Sequence, residues 1–224
     1  MTESAKASIP ASKRALDLTV CALALPVLAP VMVLAAVLIK VSSPGPAFYH
    51  AKRAGYKGRT FFALKFRTMR IGSDRLGAVT ADGDSRVFAV GRILRLFKID
   101  ELPQIINILK GEMSIVGPRP EDSAIVQSCY SAENMSVLEV APGLTGLPQV
   151  RFFPELSLIH PGEMDPQDHY RKVVLPMRLD MDREYIRRRS FIFDVYLIGY
   201  TLYLILIKSW VVLIFGSRRV GLPQ

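Results

Sequence analysis

From Leu18 to Ile39 the chain carries no charged residue. A run of that length is enough to cross a bilayer. It is too long for the apolar region of a secretory signal, and no clear cleavage site follows it. Two features argue against a plain straight span. Pro26 and Pro30 both fall inside the run, and a proline removes a helix hydrogen bond and kinks the axis. Basic residues also flank both ends, Lys13 and Arg14 before it and Lys40, Lys52 and Arg53 after it. Positive flanks favour the cytoplasmic side, so both ends are drawn to one face. A bent helix that enters and leaves through one leaflet satisfies both features. A kinked transmembrane helix, the commoner outcome on physical grounds, remains the alternative.

The 224 residues fit one domain with appended membrane elements. Half of them are hydrophobic, yet the formal charge is +9. That pairing suits an anionic membrane surface or phosphate chemistry. Nucleic acid is set aside as a partner, because the chain shows no zinc-finger spacing, basic heptad helix or aromatic RNA-binding signature. Cys21 and Cys129 lie far apart in dissimilar contexts, so no disulfide framework is implied. Cys21 reads as packing. His50, His160 and His169 have no metal-site spacing and read as surface or loop residues.

The densest chemistry lies in Gly91–Pro120, GRILRLFKIDELPQIINILKGEMSIVGPRP. Asp100 and Glu101 stand side by side before an expected amphipathic helix. Leu102, Ile105, Ile106 and Leu109 give its i, i+3, i+4, i+7 stripe. Pro103 fits a first turn, and Lys110 with Gly111 is a stop signal. A carboxylate pair there sits near the positive end of a helix dipole, which favours its ionised form. Arg92, Arg95, Lys98 and Arg119 surround it. An acid ringed by cations suits chemistry on a phosphorylated substrate. A capped helix start with surface salt bridges would read the same way.

Elsewhere, residues 1–12 read as a mobile tail. Ser43-Pro44-Gly45-Pro46 is a hard turn. Phe48–Arg70 reads as two short strands with a turn between Gly55 and Gly58. Lys65 and Arg67 share a face of the second strand, placed to reach one phosphate or to form a solvated basic edge. Ile71–Arg86 and Phe152–Pro166 read as loops, and Glu121–Val140 as helix. The glycines of Pro142–Pro148 permit close backbone approach to a ligand. Asp168–Arg189 reads as a charged helix ending in Arg187-Arg188-Arg189, a headgroup-binding patch. In the apolar C-terminal segment, Asp194 and Lys208 are 14 positions apart, near one face at about 100° per residue. With Tyr196, Tyr200, Tyr203 and Trp210, the segment favours helices lying in the membrane interface. Packing as core against the rest of the chain is the alternative.

Five strings occur in fixed order: Ser43–Pro46, Lys65-Phe66-Arg67-Thr68-Met69, Asp100-Glu101-Leu102-Pro103-Gln104, Gly111–Pro120 and Pro142–Leu147. In these the chain resembles the bacterial sugar transferases, the monotopic phosphoglycosyl transferases that attach a phosphosugar to a polyprenyl phosphate. The likeness runs from about Lys13 to Val150, and more loosely through the C-terminal region. It implies Asp100 as a nucleophile on the β-phosphate of a UDP-sugar, with release of UMP. The aspartyl phosphosugar would then pass to polyprenyl phosphate. Ping-pong kinetics are the fingerprint of such a step. The resemblance also implies Mg²⁺ near the dyad, with Asp100 as its ligand. Glu101 would act as metal or water partner or as proton acceptor. Arg95 matches the family's phosphate-binding arginine, and Arg119 the one for the nucleotide sugar. Lys65 and Arg67 would share that pocket.

The family's re-entrant helix breaks at a Ser-Pro pair. Pro30 is in register, but Ala29 stands where the serine would be, and Pro26 one turn earlier can compensate. Ala51 and Pro148 depart from the usual glutamine and alanine. The expectation is thus an α+β fold. It has a tail at 1–12, a re-entrant membrane helix at 13–41, a catalytic domain at 42–190 and interfacial helices at 191–224. The chain reads as a minimal catalytic unit on the cytoplasmic face of the bacterial inner membrane, feeding glycoconjugate or polysaccharide assembly. A homodimer is compatible with it. Two rival readings are a metal-dependent membrane hydrolase using the same carboxylates and a non-catalytic membrane adaptor. The hydrolase would leave no adduct on Asp100, and the adaptor would tolerate Asp100→Asn.

Overall fold

The computed structural model describes residues 6–73, 84–152 and 165–208, together with residues 210, 211 and 214. Expectations for the start of the tail, for His160, for much of the two long loops and for the end of the C-terminal segment lie outside the described residues.

Helix α1 runs Ala11–Ser42 with Pro26 and Pro30 inside it. An internal proline costs a hydrogen bond without having to end a helix. Among the described residues this is the one helix long and apolar enough to cross a membrane. Leu23, Val27, Val33, Leu34 and Val41 are exposed along it, as lipid-facing side chains would be. Its two ends, by contrast, dock on one folded unit. Arg14 donates to the carbonyls of Ile108 at 2.5 Å and Leu109 at 2.8 Å. Asp17 accepts from Ser114 Oγ and from the Ile115 N–H, both at 3.0 Å. At the far end, the Ser43 carbonyl and hydroxyl each lie 2.8 Å from the Arg67 guanidinium.

The strands β1 (Phe48–Ala54) and β2 (Thr60–Phe66) form an antiparallel hairpin, in register from Phe48–Phe66 to Ala54–Thr60. The turn lies between Gly55 and Gly58, as the glycines predict, with Lys57 left-handed at φ 54°. Helix α2 (Ala89–Leu96) leads into a 3₁₀ segment, Ile99–Gln104, and then α3 (Ile105–Lys110). Gly111 ends α3 at φ 81°, a left-handed position that glycine takes without strain. The predicted apolar stripe is not the buried one. Ile105 and Ile108 are buried, whereas Ile106 and Leu109 are exposed. The reason is Asn107, which docks α3 on β2: it accepts the Leu64 N–H at 2.9 Å and donates to the Phe62 carbonyl at 2.8 Å, so the face carrying Gln104, Asn107 and Ile108 turns inward.

Strands β3 (Ser114–Val116) and β4 (Gly143–Thr145) pair in parallel. Here the expectation that the 142–148 glycines approach a ligand is corrected. A Cβ on Gly143 would stand 2.1 Å from the Gly117 nitrogen, so the glycine serves strand pairing. Helix α4 (Ser123–Cys129) is capped by Asp122, which accepts from the Ala124 N–H at 2.9 Å. A 3₁₀ segment at Asn134–Glu139 and the short α5 (Leu147–Arg151) follow. The charged stretch forms α6 (Pro166–His169), a π-helical turn at Tyr170–Val174, and α7 (Leu175–Arg188). Helix α8 (Phe191–Tyr203) runs on as a π turn through Leu204–Lys208. The fold is α+β, with much helix and two small sheets.

The largest core joins Cys21, Phe61, Ala63, Ile105, Ile108, Met113, Val116 and Tyr185 to Leu197 and Leu204 of the C-terminal segment. One face of α8 is therefore core. Ile192, Tyr196, Leu202 and Leu206 on its other faces are exposed, and Tyr196, Tyr200 and Tyr203 stack in sequence. Asp194 is buried in an ion pair with Lys13 of α1 at 2.5 Å, and Tyr185 donates to it at 2.8 Å. The charge that interrupts the apolar run is thus a lock between the two apolar helices.

Candidate active site

Asp100 and Glu101 lie inside the 3₁₀ segment, entered through Lys98 at φ 55°, and are 8% and 7% exposed. They do not precede a helix on the surface; they pack beneath β2. Glu101 Oε1 accepts from Lys65 Nζ at 2.8 Å and from Arg119 Nη2 at 3.0 Å. Lys65 comes from β2 and Arg119 from the turn after β3, so two sheets deliver cations to one carboxylate. Asp100 Oδ1 is buried and has no hydrogen-bond partner among the described residues. Arg95, on the last turn of α2, is held by its Nε donating to Thr68 Oγ1 at 2.8 Å, and its charge acts on Asp100.

The two carboxyls are driven apart electrostatically. Burial, then the Glu101 charge, pushes Asp100 above the usual carboxylate range, against the pull of Lys65, Lys98 and Arg95. Burial pushes Glu101 upward too, but Arg119, Lys65 and Lys98 outweigh it and hold that carboxyl well below the range. The expectation that this position favours the ionised form is therefore corrected for Asp100, while Glu101 follows it through its cations. Desolvation and like-charge repulsion outweigh a dipole effect of at most about 2 kcal/mol. Burial likewise lowers Lys65, with Glu101 opposing.

Arg67 stands elsewhere. It is buried, donating through Nε to the Pro46 carbonyl at 2.6 Å and through its terminal nitrogens to Ser43. β2 ends at Phe66, so the alternation that places Lys65 and Arg67 on one face stops between them. The structure thus brings Asp100, Glu101, Arg95, Lys65 and Arg119 together, and uses Arg67 to clamp the turn after α1. Thr68 and Lys98 were not singled out for these roles in the sequence. Thr68 sits in the quoted strand motif, while nothing local marks Lys98 as left-handed.

Behind Arg119 lies a second buried cluster. Glu121 pairs with Arg178 at 3.1 Å, and the Tyr170 hydroxyl donates to it. Burial raises Glu121, but Arg178 and Arg53 outweigh it and hold the carboxyl below its ordinary value. Asp182 accepts the backbone N–H of Arg119, and burial pushes its carboxyl up to about 7. Its Oδ1 has no partner among the described residues. The sequence marked this stretch only as a charged helix.

A magnesium ion asks for hard oxygens, and one or two carboxylates with substrate phosphates and water suffice. No group of three or more acidic, histidine or cysteine side chains is set to hold a metal among the described residues. Asp100, with one buried oxygen unpartnered, fits a one-carboxylate site; Glu101 is already committed to two cations.

The model of the family described as bacterial sugar transferase matches residues 9–208. The chain belongs to the bacterial sugar transferase family. Among its relatives, a UDP-glucose:undecaprenyl-phosphate glucose-1-phosphate transferase of Caulobacter vibrioides is 48% identical over 143 residues, 62% of this chain and 53% of that protein. A UDP-N-acetylgalactosamine-undecaprenyl-phosphate N-acetylgalactosaminephosphotransferase of Aeromonas hydrophila is 36% identical over 197 residues, 87% of this chain and 43% of its own length. An exopolysaccharide production protein, ExoY, of Sinorhizobium fredii is 41% identical over 157 residues, 62% of this chain and 68% of that protein. This sugar transferase chain thus spans about half or less of the first two.

Proposed function

We propose that the chain moves a sugar-1-phosphate from a UDP-sugar to polyprenyl phosphate through a covalent phosphosugar on Asp100, with release of UMP. The observation that carries this reading is the division of labour in the dyad. Glu101 is neutralised by Lys65 and Arg119, while Asp100 keeps a buried oxygen without a partner among the described residues. The donor and acceptor classes are those in the names of the Caulobacter and Aeromonas relatives.

An Asp100 oxygen attacks the β-phosphorus, and the bond from that phosphorus to the bridging oxygen breaks. UMP leaves with the bridging oxygen. A phosphate oxygen of the polyprenyl phosphate then attacks the same phosphorus. The Asp100 oxygen–phosphorus bond breaks, the carboxylate returns, and polyprenyl-diphosphate-sugar departs. One difficult displacement becomes two easier ones. Arg95 and Arg119 bind and orient the diphosphate, and Lys65 holds Glu101 in place beside it. Bound Mg²⁺, held by Asp100 and the donor phosphates, would screen the diphosphate charge.

The contacts at the two ends of α1 support a one-leaflet arrangement. A helix that crosses a bilayer puts its ends in different compartments. Here Arg14 and Asp17 at one end and Ser43 at the other bond to the same folded unit. The one-leaflet helix, with the site on the cytoplasmic face, accommodates both ends. Cysteines placed at Ala5 and His50 in a Cys129→Ser background test it in inner-membrane vesicles. Both should react with an impermeant maleimide from the cytoplasmic side; labelling from opposite sides would contradict it.

Incubation with a panel of UDP-sugars and Mg²⁺ tests the chemistry. UMP should accumulate steadily only when polyprenyl phosphate is present, and in its absence stop at one equivalent per chain. Steady release without the lipid would identify a hydrolase.

A further inference from the structure

Three residues on one face of α7, spaced i, i+4, i+7, follow the chain from β3 through the Arg119 turn. The Tyr185 hydroxyl lies 3.3 Å from the Val116 carbonyl. The Asp182 carboxyl accepts the Arg119 backbone N–H. The Arg178 guanidinium pairs with Glu121 at 3.1 Å. All three side chains belong to buried residues, 2%, 3% and 8% exposed in that order. From another side, β4 holds the same segment: the Gly117 N–H donates to Thr145 O at 2.9 Å, and the Gly143 N–H to Pro118 O at 2.8 Å. Arg119 leaves this clamped backbone to reach Glu101 at 3.0 Å.

We propose that Asp182 is a positioning residue for donor binding, which by fixing the Arg119 backbone sets where its guanidinium meets the nucleotide sugar. This rests on the reading of Arg119 as a donor-binding residue. Of the three contacts, the one made by Asp182 falls on Arg119 itself, in the middle of the clamped segment. Arginine presents a rigid planar fork whose use depends on its angle of approach. A backbone shift at Arg119 therefore misaligns the fork while leaving the charge in place. Such a shift should be felt as weaker binding of the donor and little in the chemical step at Asp100.

The test is a cycle of Asp182→Ala and Arg119→Ala in the full-length, membrane-extracted protein. Two quantities are measured with Mg²⁺ present: equilibrium binding of UDP by calorimetry, and KM and kcat for the UDP-sugar that yields most UMP. Asp182→Ala should weaken UDP binding and raise KM by about tenfold, the scale of one buried hydrogen bond, with kcat changed less than about threefold. In the Arg119→Ala background it should add less than about twofold, because the group it positions is gone. Asp182→Asn, which keeps an acceptor for the N–H, should recover most of the loss. The proposal is overturned if the tenfold factor persists without Arg119, if Asp182→Asn is as impaired as Asp182→Ala, or if kcat falls while UDP binding is unchanged. Should Asp182→Ala fail to fold, Asp182→Glu carries the comparison: its longer side chain displaces the N–H, and its KM rise must vanish in the Arg119→Ala background. A wild type that binds UDP yet releases no UMP contradicts the transferase reading and leaves the UDP-binding arm to judge Asp182. A wild type that binds no UDP overturns both.

Discussion

The two buried acid clusters on either side of the Arg119 turn are built alike. In front, cations hold Glu101 well below the usual range while burial and its neighbour's charge raise Asp100. Behind, Arg178 and Arg53 hold Glu121 down while burial raises Asp182 to about 7. Each raised acid keeps one buried oxygen with no partner among the described residues. What separates them is company. Asp100 feels Lys98 and Arg95 in addition to Lys65, which is already paired with Glu101, more positive charge than one carboxylate needs. Asp182 lies against a backbone amide and feels two arginines, Arg178 and Arg119, each already paired with a glutamate. A shifted acid with an unsatisfied oxygen is therefore not by itself a reactive group; surplus positive charge beside it is the mark of a site built for a diphosphate.

The comparison breaks most sharply at the raised acids themselves. Asp100→Asn should lower UMP release on the order of 10³-fold or more, as loss of a nucleophile does. The melting temperature should hold or rise, because a buried charge is removed. Asp182→Asn should cost at most a few-fold in the same assay. Equal losses in the two variants would erase the distinction.

At the paired acids the order reverses, with stability carrying the larger effect behind. Arg178→Ala leaves the buried Glu121 to Arg53 and the Tyr170 hydroxyl and should destabilise by about 1.5–3 kcal/mol, read in chemical denaturation. In front, Lys65→Met leaves Arg119 to hold Glu101. It should lower kcat/KM about 10- to 100-fold, the worth of a charged hydrogen bond, with a smaller loss of stability.

The smallest effect is a slope. A carboxyl raised by folding stabilises the fold while protonated, and that contribution is lost as pH climbs from the unfolded value near 4 to the folded value of about 7. The wild-type melting temperature should therefore fall between pH 5 and 8 more steeply than that of Asp182→Asn. Glu121 is depressed, so its contribution is present above about pH 4.5 and lost only as pH falls further. It does not confuse the window. Identical slopes in the two proteins would show that Asp182 does not titrate there.

Much of this was legible in the chain. The hairpin follows from strand-like runs around Gly55 and Gly58, the end of α3 from Gly111, and the long apolar helix from its uncharged length. The dyad and its cations were named because acid and base cluster within and around one short stretch. Other features are set by contacts distant in sequence. β3 and β4 are three residues each, too short for any alternation to show. The buried face of α3 is set by Asn107 docking on β2, a polar contact that apolar spacing does not show. The pairing of Asp194 with Lys13 spans most of the chain, and that of Asp17 with β3 joins residues about 100 positions apart. Arg67 reads as a strand residue until the strand is seen to stop at Phe66.

The central claim is a bond between Asp100 and phosphorus. The chain should be incubated with Mg²⁺ and the productive UDP-sugar in the absence of polyprenyl phosphate, quenched, and weighed by intact-protein and peptide mass spectrometry. The account predicts one added sugar-1-phosphate on the peptide bearing Asp100, equal in amount to the UMP released, absent in Asp100→Asn and discharged when polyprenyl phosphate is added. UMP release with the peptide unmodified, or an adduct on any other residue, would contradict it.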